Sequence, residues 1–245
     1  MIFIGIDDTD NKESRGTGFL SRQLGKVIEE KSLGRVEGIS RHQLFVHRDI
    51  PYTSQNSSAC LCIKKARRDS LYRLCRDYLL ENAADGSDVG LAMSSSEEIK
   101  DELVEYGFRA KKEILSQVEA KALAEKHRIQ LEGLTGSRDG IIGALAAIGL
   151  RKSGNDGRFI WLRGKELREM AGILSVKDLL KQTGIDSILD LKGNRLGCNE
   201  MIHVGDWVRP VIQDNKVLLI ADKTLNNNDY GWKLASKDFV KSISD

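Results

Sequence analysis

The sequence predicts an α+β fold: a ferredoxin-like antiparallel sheet with packed helices, followed by a second α+β portion. In the first half, short apolar runs rich in β-branched residues alternate with amphipathic helical patterns. Their order is strand, helix, strand, strand, helix, strand, which is the ferredoxin-like order. The length of 245 residues leaves room for one large or two modest domains. We place a boundary after residue 128, so the predicted parts span 1–128 and 129–245.

The individual elements follow from hydrophobic periodicity and turn signals. Strands are predicted at residues 2–6, 44–46, 59–63, 89–93 and 159–162, and helices at 19–31, 67–82, 96–106, 116–126, 165–171 and 175–183. Near the C-terminus, residues 207–212 and 217–220 flank a polar turn and predict a hairpin. Its first strand contains Pro210 and is therefore expected at a sheet edge.

Composition narrows the function classes only slightly. A net charge of +2 and a pI near 8.3 neither indicate nor exclude a nucleic-acid partner. No apolar run is long enough to cross a bilayer and no signal-peptide pattern begins the chain, which predicts a cytoplasmic protein without a membrane partner. The four cysteines lack CxxC and zinc-finger spacing, so reduced thiols are favoured over a zinc site or a disulfide framework.

The first predicted strand ends in three carboxylates, Asp7, Asp8 and Asp10. Carboxylates this close repel one another unless something neutralises them. A hard divalent cation such as Mg²⁺ takes oxygen ligands and often bridges to phosphates. The stretch therefore predicts a metal site made by these three residues, although an acidic surface turn would give the same pattern.

Thr17 lies between two glycines at the mouth of the next predicted helix. The glycines leave the backbone free to bring this hydroxyl close to a ligand, and a hydroxyl beside a metal site can accept a phosphoryl group. A threonine here is also a common N-cap, which would stabilise the helix and take no part in chemistry. On the residues alone, the two interpretations are about equal.

A polar loop at residues 49–58 is rich in hydroxyl and amide side chains, among them Thr53 and Asn56. Such side chains can hydrogen-bond a ligand, and we expect these two to contact a bound nucleotide. The same composition also suits a wide hairpin connection with no binding role.

A glycine-rich turn precedes a helix that is apolar almost all round. The turn consists of Gly136, Ser137, Arg138, Asp139 and Gly140. Unpaired N–H groups, the positive end of a helix dipole and an arginine together make an anion site, so the turn predicts phosphate binding. It is not a Walker A motif, because no Gly-Lys-Ser/Thr follows. The alternative is a tight turn before a buried helix, whose small residues let another backbone approach closely.

Three motifs carry a family resemblance: I-G-I-D-D-T-D, D-I-P-Y-T-S-Q-N-S-S-A and G-S-R-D-G-I-I-G-A-L-A-A-I-G. They resemble the catalytic region of the archaeal tRNA-isoleucine agmatinylcytidine synthetase (TiaS) family. The resemblance covers residues 1–175 and implies a kinase-like portion beside the ferredoxin-like one. It does not extend to the OB-fold and zinc ribbon of full-length members.

This resemblance implies an ATP- and Mg²⁺-dependent ligase that forms a C–N bond. ATP would activate the wobble cytosine of a tRNA, and agmatine would attack the activated carbon. It implies metal or phosphate roles for Asp7, Asp8 and Asp10, and it places Thr17 at the threonine that the family autophosphorylates. Asp7, Asp8 and Thr17 are therefore the expected catalytic residues.

Two other functions fit the same residues. One is a small-metabolite kinase that uses this machinery without RNA. The other is a non-catalytic regulator that binds a nucleotide. The metabolite kinase would bind ATP, and the regulator would bind a nucleotide. Only the TiaS-like enzyme would also have tRNA or another RNA, and an amine such as agmatine, as partners.

Overall fold

The computed structural model describes residues 1–53, 55–205, 208–224 and 230–245, with every side chain in these ranges except that of Arg168. The chain forms two compact units, Met1–Ser153 and Gly154–Asp245. Helices and mostly antiparallel strands occur in both units, so the predicted α+β fold class is confirmed.

The first unit contains the ferredoxin-like order of elements. Its elements are β1 (Ile2–Asp7), α1 (Thr17–Glu30), β2 (Arg35–Gln43), β3 (Ser57–Lys64), α2 (Arg68–Asn82), β4 (Gly90–Ser95), α3 (Asp101–Arg109), α4 (Gln117–Lys126), β5 (Gln130–Gly133) and α5 (Gly140–Ser153). The sheet order is β5-β4-β1-β3-β2, and all neighbours are antiparallel. The predicted strand and helix order of the first six elements is therefore confirmed, although the second strand ends at Gln43 and the strand predicted at residues 44–46 is absent.

Helix α5 covers one face of this sheet. Alternate strand residues Phe3, Cys60, Cys62 and Ala92 form a buried cluster with the apolar side chains of α5, as the period of two along a strand requires. The backbones approach so closely that a Cβ added to Gly5 would lie 1.9 Å from the carbonyl oxygen of Ala144 on α5. Small residues at this contact thus hold the helix directly against β1.

The boundary between the units lies later than the sequence indicated. Strand β5 pairs with β4 through Gly90–Met93 and Gln130–Gly133, and α5 packs on the same sheet. Residues 129–153 therefore belong to the first unit, and the predicted boundary after residue 128 separates elements that fold together. No linker composition marks either position, which is why the sequence did not locate the division.

The second unit contains seven strands and two α-helices among its described residues. Its elements are β6 (Arg158–Leu162), a 3₁₀-helix (Leu167–Glu169), β7 (Ile173–Ser175), α6 (Val176–Thr183), β8 (Ser187–Asp190), β9 (Met201–His203), β10 (Val211–Gln213), β11 (Lys216–Lys223), β12 (Trp232–Leu234) and α7 (Lys237–Ser244). The strand order is β6-β10-β11-β12-β9-β7, with β8 pairing parallel to β11. Aliphatic side chains from both its strands and its helices form a separate buried cluster.

Strands β10 and β11 form a hairpin in the region where the sequence indicated one, with Val211 opposite Leu218. Asp214 and Asn215 in its turn both have positive φ, a conformation that Asp and Asn tolerate better than most residues. Residues 206 and 207 of the predicted hairpin lie outside the described residues. Among the residues that are described, no helix is long and apolar enough to cross a membrane.

Candidate functional site

A cavity of about 210 Å³ lies within the first unit, where the end of β1 meets the start of α5. It gathers predicted site residues from four separate stretches of the chain. The described lining includes Asp7, Asp8, Asp10, Thr17, Asp49, Tyr52, Thr53, Asn56, Glu113, Ile114, Asp139, Gly140 and Gly143.

Close backbone packing brings the strand end and the helix start together. Gly90, which pairs with Asp7, lies so near Gly140 that an added Cβ would be 2.0 Å from the Gly140 carbonyl carbon. One turn along the helix, a Cβ added to Gly143 would lie 1.7 Å from Oδ2 of Asp7. The Asp7 carboxylate therefore rests on the bare backbone of Gly143, and a larger residue there would displace it.

Burial and mutual repulsion affect two carboxylates of this cavity, those of Asp7 and Asp8. Burial raises the pKa of Asp7 to about 8, and the neighbouring charge of Asp8 adds to the shift. Burial also raises the pKa of Asp8 to about 6, and the charges of nearby carboxylates contribute further, namely Asp88, Asp10 and Asp139. At neutral pH the Asp7 and Asp8 side chains therefore resist being ionised at the same time unless a cation enters.

The donor set suits Mg²⁺ bound with a phosphate ligand. Within the described residues no three His, Cys, Asp or Glu side chains are grouped as a ready-made metal site. Mg²⁺ usually binds through one or two carboxylates and completes its shell with water and substrate phosphates. Asp7 and Asp8 supply hard oxygen donors at the cavity wall. They therefore fit a Mg²⁺ site that is completed by water and phosphate, and do not fit a site made of protein ligands alone.

Thr17 lies in the cavity wall as the first residue of α1, and the N-cap position belongs to Gly16. The N-cap interpretation of Thr17 is therefore wrong. Its side chain is buried, and its hydroxyl donates to Oδ1 of Asp10 at 3.1 Å. The same hydroxyl accepts from the backbone N–H of Thr9 at 3.3 Å and from the Thr9 hydroxyl at 3.2 Å.

The loop between β2 and β3 contributes Thr53 and Asn56 to the cavity wall. The Thr53 hydroxyl donates to the carbonyl oxygen of Asp10 at 3.3 Å, which ties the loop to the acidic segment. The Asn56 side-chain amide donates to the carbonyl oxygen of Phe45 at 2.7 Å, so part of its hydrogen-bonding capacity serves the loop itself. Ser54 of this loop lies outside the described residues.

Only part of the glycine-rich turn lines the cavity. Asp139 and Gly140 line the cavity, whereas Gly136, Ser137 and Arg138 are exposed and are absent from its described lining. The Asp139 carboxylate accepts hydrogen bonds from Gln117 and Ser137, each at 2.7 Å.

The expectation of unpaired N–H groups at the start of α5 is wrong for the residues that begin the helix. The Gly140 N–H donates to the carbonyl oxygen of Asp88 at 2.9 Å, and the Ile141 N–H donates to that of Arg138 at 3.3 Å. The Ser137 N–H is taken by the Asp88 carboxylate. Because these donors are satisfied inside the protein, little of the helix start remains to bind an anion.

Two residues of the site were missed from the sequence. Asp88 precedes β4, and the antiparallel pairing of β1 with β4 places it beside the acidic segment that follows β1; the predicted topology contained this signal. Gly143 supports the Asp7 carboxylate, but its role depends on how closely the helix approaches the sheet, which no local pattern encodes.

The chain was compared with family models, with curated proteins and with solved structures. No protein-family model matches the chain. An uncharacterized protein of Methanocaldococcus jannaschii is 29% identical over 151 residues, which cover 61% of this chain and 49% of that protein. That length is close to the length of the first unit, Met1–Ser153.

Two solved structures with a similar fold are complexes of TiaS. The complex with tRNA(Ile2) and ATP has a TM-score of 0.52 and 25% identity, and it covers 60% of this chain and 36% of that chain. The complex with tRNA(Ile2), AMPCPP and agmatine has a TM-score of 0.52 and 26% identity, with the same coverage. The resemblance to TiaS is confirmed. The present chain spans about half the length of the M. jannaschii protein and about a third of TiaS, and coverage of this extent fits a catalytic region.

Proposed function

We propose that this protein is an ATP- and Mg²⁺-dependent ligase that modifies tRNA as TiaS does. In this reaction ATP activates a cytosine carbonyl, and an amine such as agmatine then attacks the activated carbon. The observation that carries the proposal is the acidic cavity with a buried threonine hydroxyl in its wall, in a chain similar to TiaS. The TiaS structures contain tRNA(Ile2), ATP or AMPCPP, and agmatine.

The charge of the cavity supports a requirement for divalent cations. Its described lining has six carboxylate side chains, Asp7, Asp8, Asp10, Asp49, Glu113 and Asp139, and includes no Lys, Arg or His. A triphosphate alone would be repelled by such a surface. Asp7 and Asp8 would hold Mg²⁺, which when bound neutralises the phosphate charge and fixes the phosphate oxygens.

The cavity is large enough to enclose only part of a nucleotide. A volume of about 210 Å³ is below the roughly 300–1,000 Å³ of a site that encloses a whole small-molecule ligand. The phosphates and their ions are therefore the portion we place inside, against Thr17, Asp139 and Gly140. Tyr52 and Ile114, each about half exposed, offer apolar surface at the cavity mouth for a base.

Phosphoryl chemistry of this kind depends mainly on positioning and electrostatics. Thr53 and Asn56 are the polar groups of the loop that we assign to orienting the nucleotide. Thr17 is the assigned phosphoryl acceptor, because it lines the cavity together with the carboxylates and its hydroxyl is bonded to one of them, Asp10. Each of these groups is already held by a hydrogen bond within the unit.

The proposal is tested by following ATP and RNA together. The full chain is incubated with ATP, Mg²⁺, agmatine and a tRNA transcript whose wobble base is cytosine, and a transcript with wobble uridine is the matched control. We expect AMP to form and the cytosine transcript alone to gain the mass of agmatine less one water, because the activated carbonyl oxygen leaves with phosphate. Repeated ADP formation without RNA, beyond the one ADP per chain that phosphorylation of Thr17 releases, would instead indicate a metabolite kinase, and ATP binding without turnover would indicate a regulator.

A further inference from the structure

We infer that Asp10 orients the Thr17 hydroxyl and accepts its proton, and that the bound cation is left to Asp7 and Asp8. This inference rests on the proposed function, in which Thr17 accepts a phosphoryl group. It assigns Asp10 a different role from the metal-ligand role that the sequence resemblance implies.

The geometry joins Asp10 to Thr17 by two contacts at one oxygen. Oδ1 of Asp10 accepts from the backbone N–H of Thr17 at 3.1 Å and from its hydroxyl at 3.1 Å. Two hydrogen bonds from one residue to a single acceptor fix both the first turn of α1 and the side-chain rotamer of Thr17. The main chain of Asp10 is itself held by the Thr53 hydroxyl, so the acceptor has an anchored backbone.

Thr9 donates the two hydrogen bonds that the Thr17 hydroxyl oxygen accepts. A threonine hydroxyl has one proton and two lone pairs, and here the proton goes to Asp10 while the Thr9 N–H and hydroxyl approach the oxygen at 3.3 and 3.2 Å. One lone pair must become free before this oxygen can attack. The Thr9 hydroxyl can rotate away without moving the main chain, so it is the contact that opens.

The transfer step then follows from these contacts. Thr17 Oγ1 forms a bond to the terminal phosphorus of ATP, and the bond from that phosphorus to its bridging oxygen breaks. The hydroxyl proton passes to Asp10 Oδ1 along the existing hydrogen bond, and ADP leaves. No oxidant, reductant or further reactant is needed.

The test measures two quantities on the full chain: the rate of labelling of Thr17 by ATP carrying radioactive terminal phosphate, and Mn²⁺ affinity. We expect Asp10→Asn to slow labelling about 100-fold, the size of a lost proton acceptor, and to keep Mn²⁺ affinity within about twofold, whereas a lost metal ligand costs about tenfold or more. Thr9→Val should label faster than wild type, because it lacks the hydroxyl contact that has to open. Asp10→Ser serves as a second variant if Asp10→Asn fails to fold.

Either of two results in the Asp10 variants would overturn the inference: wild-type labelling in a folded variant, or an Mn²⁺ affinity that falls by the amount expected for a lost ligand. Loss of label in Thr9→Val equal to that in Asp10→Asn would also overturn it, because general loosening of Thr17 would then suffice. Wild-type protein that labels Thr17 but leaves tRNA unmodified refutes the proposed function and keeps the inference. Wild-type protein that modifies tRNA without labelling Thr17 refutes the inference and keeps the proposed function.

Discussion

The acidic segment after β1 and the glycine-rich turn before α5 both read as ligand sites in the sequence, and they differ sharply in the fold. Asp7, Asp8 and Asp10 all reach the cavity, and burial and mutual repulsion raise the pKa values of Asp7 and Asp8. In the glycine-rich turn, the backbone donors of Ser137 and Gly140 are already bonded to Asp88. A helix start binds an anion only with the donors that its own protein leaves unsatisfied.

Both stretches also contain a non-glycine residue with positive φ, Asp8 at 52° and Arg138 at 70°. The left-handed conformation costs such residues roughly 1–2 kcal/mol, so it is not by itself a marker of function. At Asp8 it accompanies a carboxylate that lines the cavity, and at Arg138 it accompanies an exposed side chain packed over Gly133. What the strained residue faces therefore distinguishes the two stretches.

The largest expected effect comes from Asp8→Asn. This change removes a proposed metal donor, so magnesium-dependent ATP turnover should fall by at least about 100-fold. The melting temperature should stay level or rise, because repulsion from Asp88, Asp10 and Asp139 is relieved. Steady-state turnover and a thermal melt on the same sample measure both. Asp77→Asn, at an exposed carboxylate on α2, is the matched control, and undiminished turnover in Asp8→Asn would remove the metal assignment.

Gly143→Ala tests whether the helix side of the cavity acts through its backbone. The new Cβ would collide with the Asp7 carboxylate, and overpacking of this kind costs roughly 1–3 kcal/mol of stability. Turnover should fall with it, because Asp7 is displaced. Denaturant unfolding and ATP turnover give the two values.

Gly231→Ala is the control for that change, since an added Cβ there meets no atom within 4 Å. If Gly143→Ala kept wild-type turnover and stability, the close contact between α5 and Asp7 would not matter for the site.

Stability, as distinct from turnover, is expected to change with pH in the absence of metal. Folding raises the pKa of Asp7 from 3.8 to about 8, so the folded state holds this proton more tightly than the unfolded state. The resulting stabilisation is complete below about pH 4 and is lost as the pH rises through about 8. Melting temperature in EDTA should therefore decline across this window, less so in Asp7→Asn, and Mg²⁺ should restore part of it at pH 8. A melting temperature that rises from pH 6 to pH 8 in EDTA would contradict this.

The smallest effect is expected from Arg138→Ala. The Arg138 side chain is exposed and is not part of the described cavity lining, so ATP affinity measured by calorimetry should change by less than about twofold. A charge-assisted bond to phosphate would instead be worth roughly 1.5–3 kcal/mol. A loss of that size would return Arg138 to the site and make the two stretches equivalent.

The fold was predictable where local pattern and topology agree. Periodicity gave the ferredoxin-like order of β1 to β4, and the small residues of α5 correctly indicated a close backbone approach. The division of the chain was not predictable, because β5 has four residues and no linker follows it.

Among the residues that line the cavity, the sequence singled out Asp7, Asp8, Asp10 and Thr17, because unusual residue types stood together. It could not show that Asp88 would bond both Ser137 and Gly140. That outcome depends on the three-dimensional course of two segments that lie far apart in the chain. The same reason hid the contact of Gly143 with Asp7.

The position of α5 at the end of the first unit has a consequence for the nascent protein. The ribosome completes β1 to β4 before it makes α5, so the apolar sheet face formed by Phe3, Cys60, Cys62 and Ala92 has no cover during that interval. Exposed sheet surface of this kind is prone to aggregate and to recruit chaperones. The carboxylates also lack the helix side of their cavity until residues 139–143 emerge, so a chain released early would expose this apolar face and have an incomplete cavity. Synthesis therefore completes the cavity only when the last element of the first unit has been made.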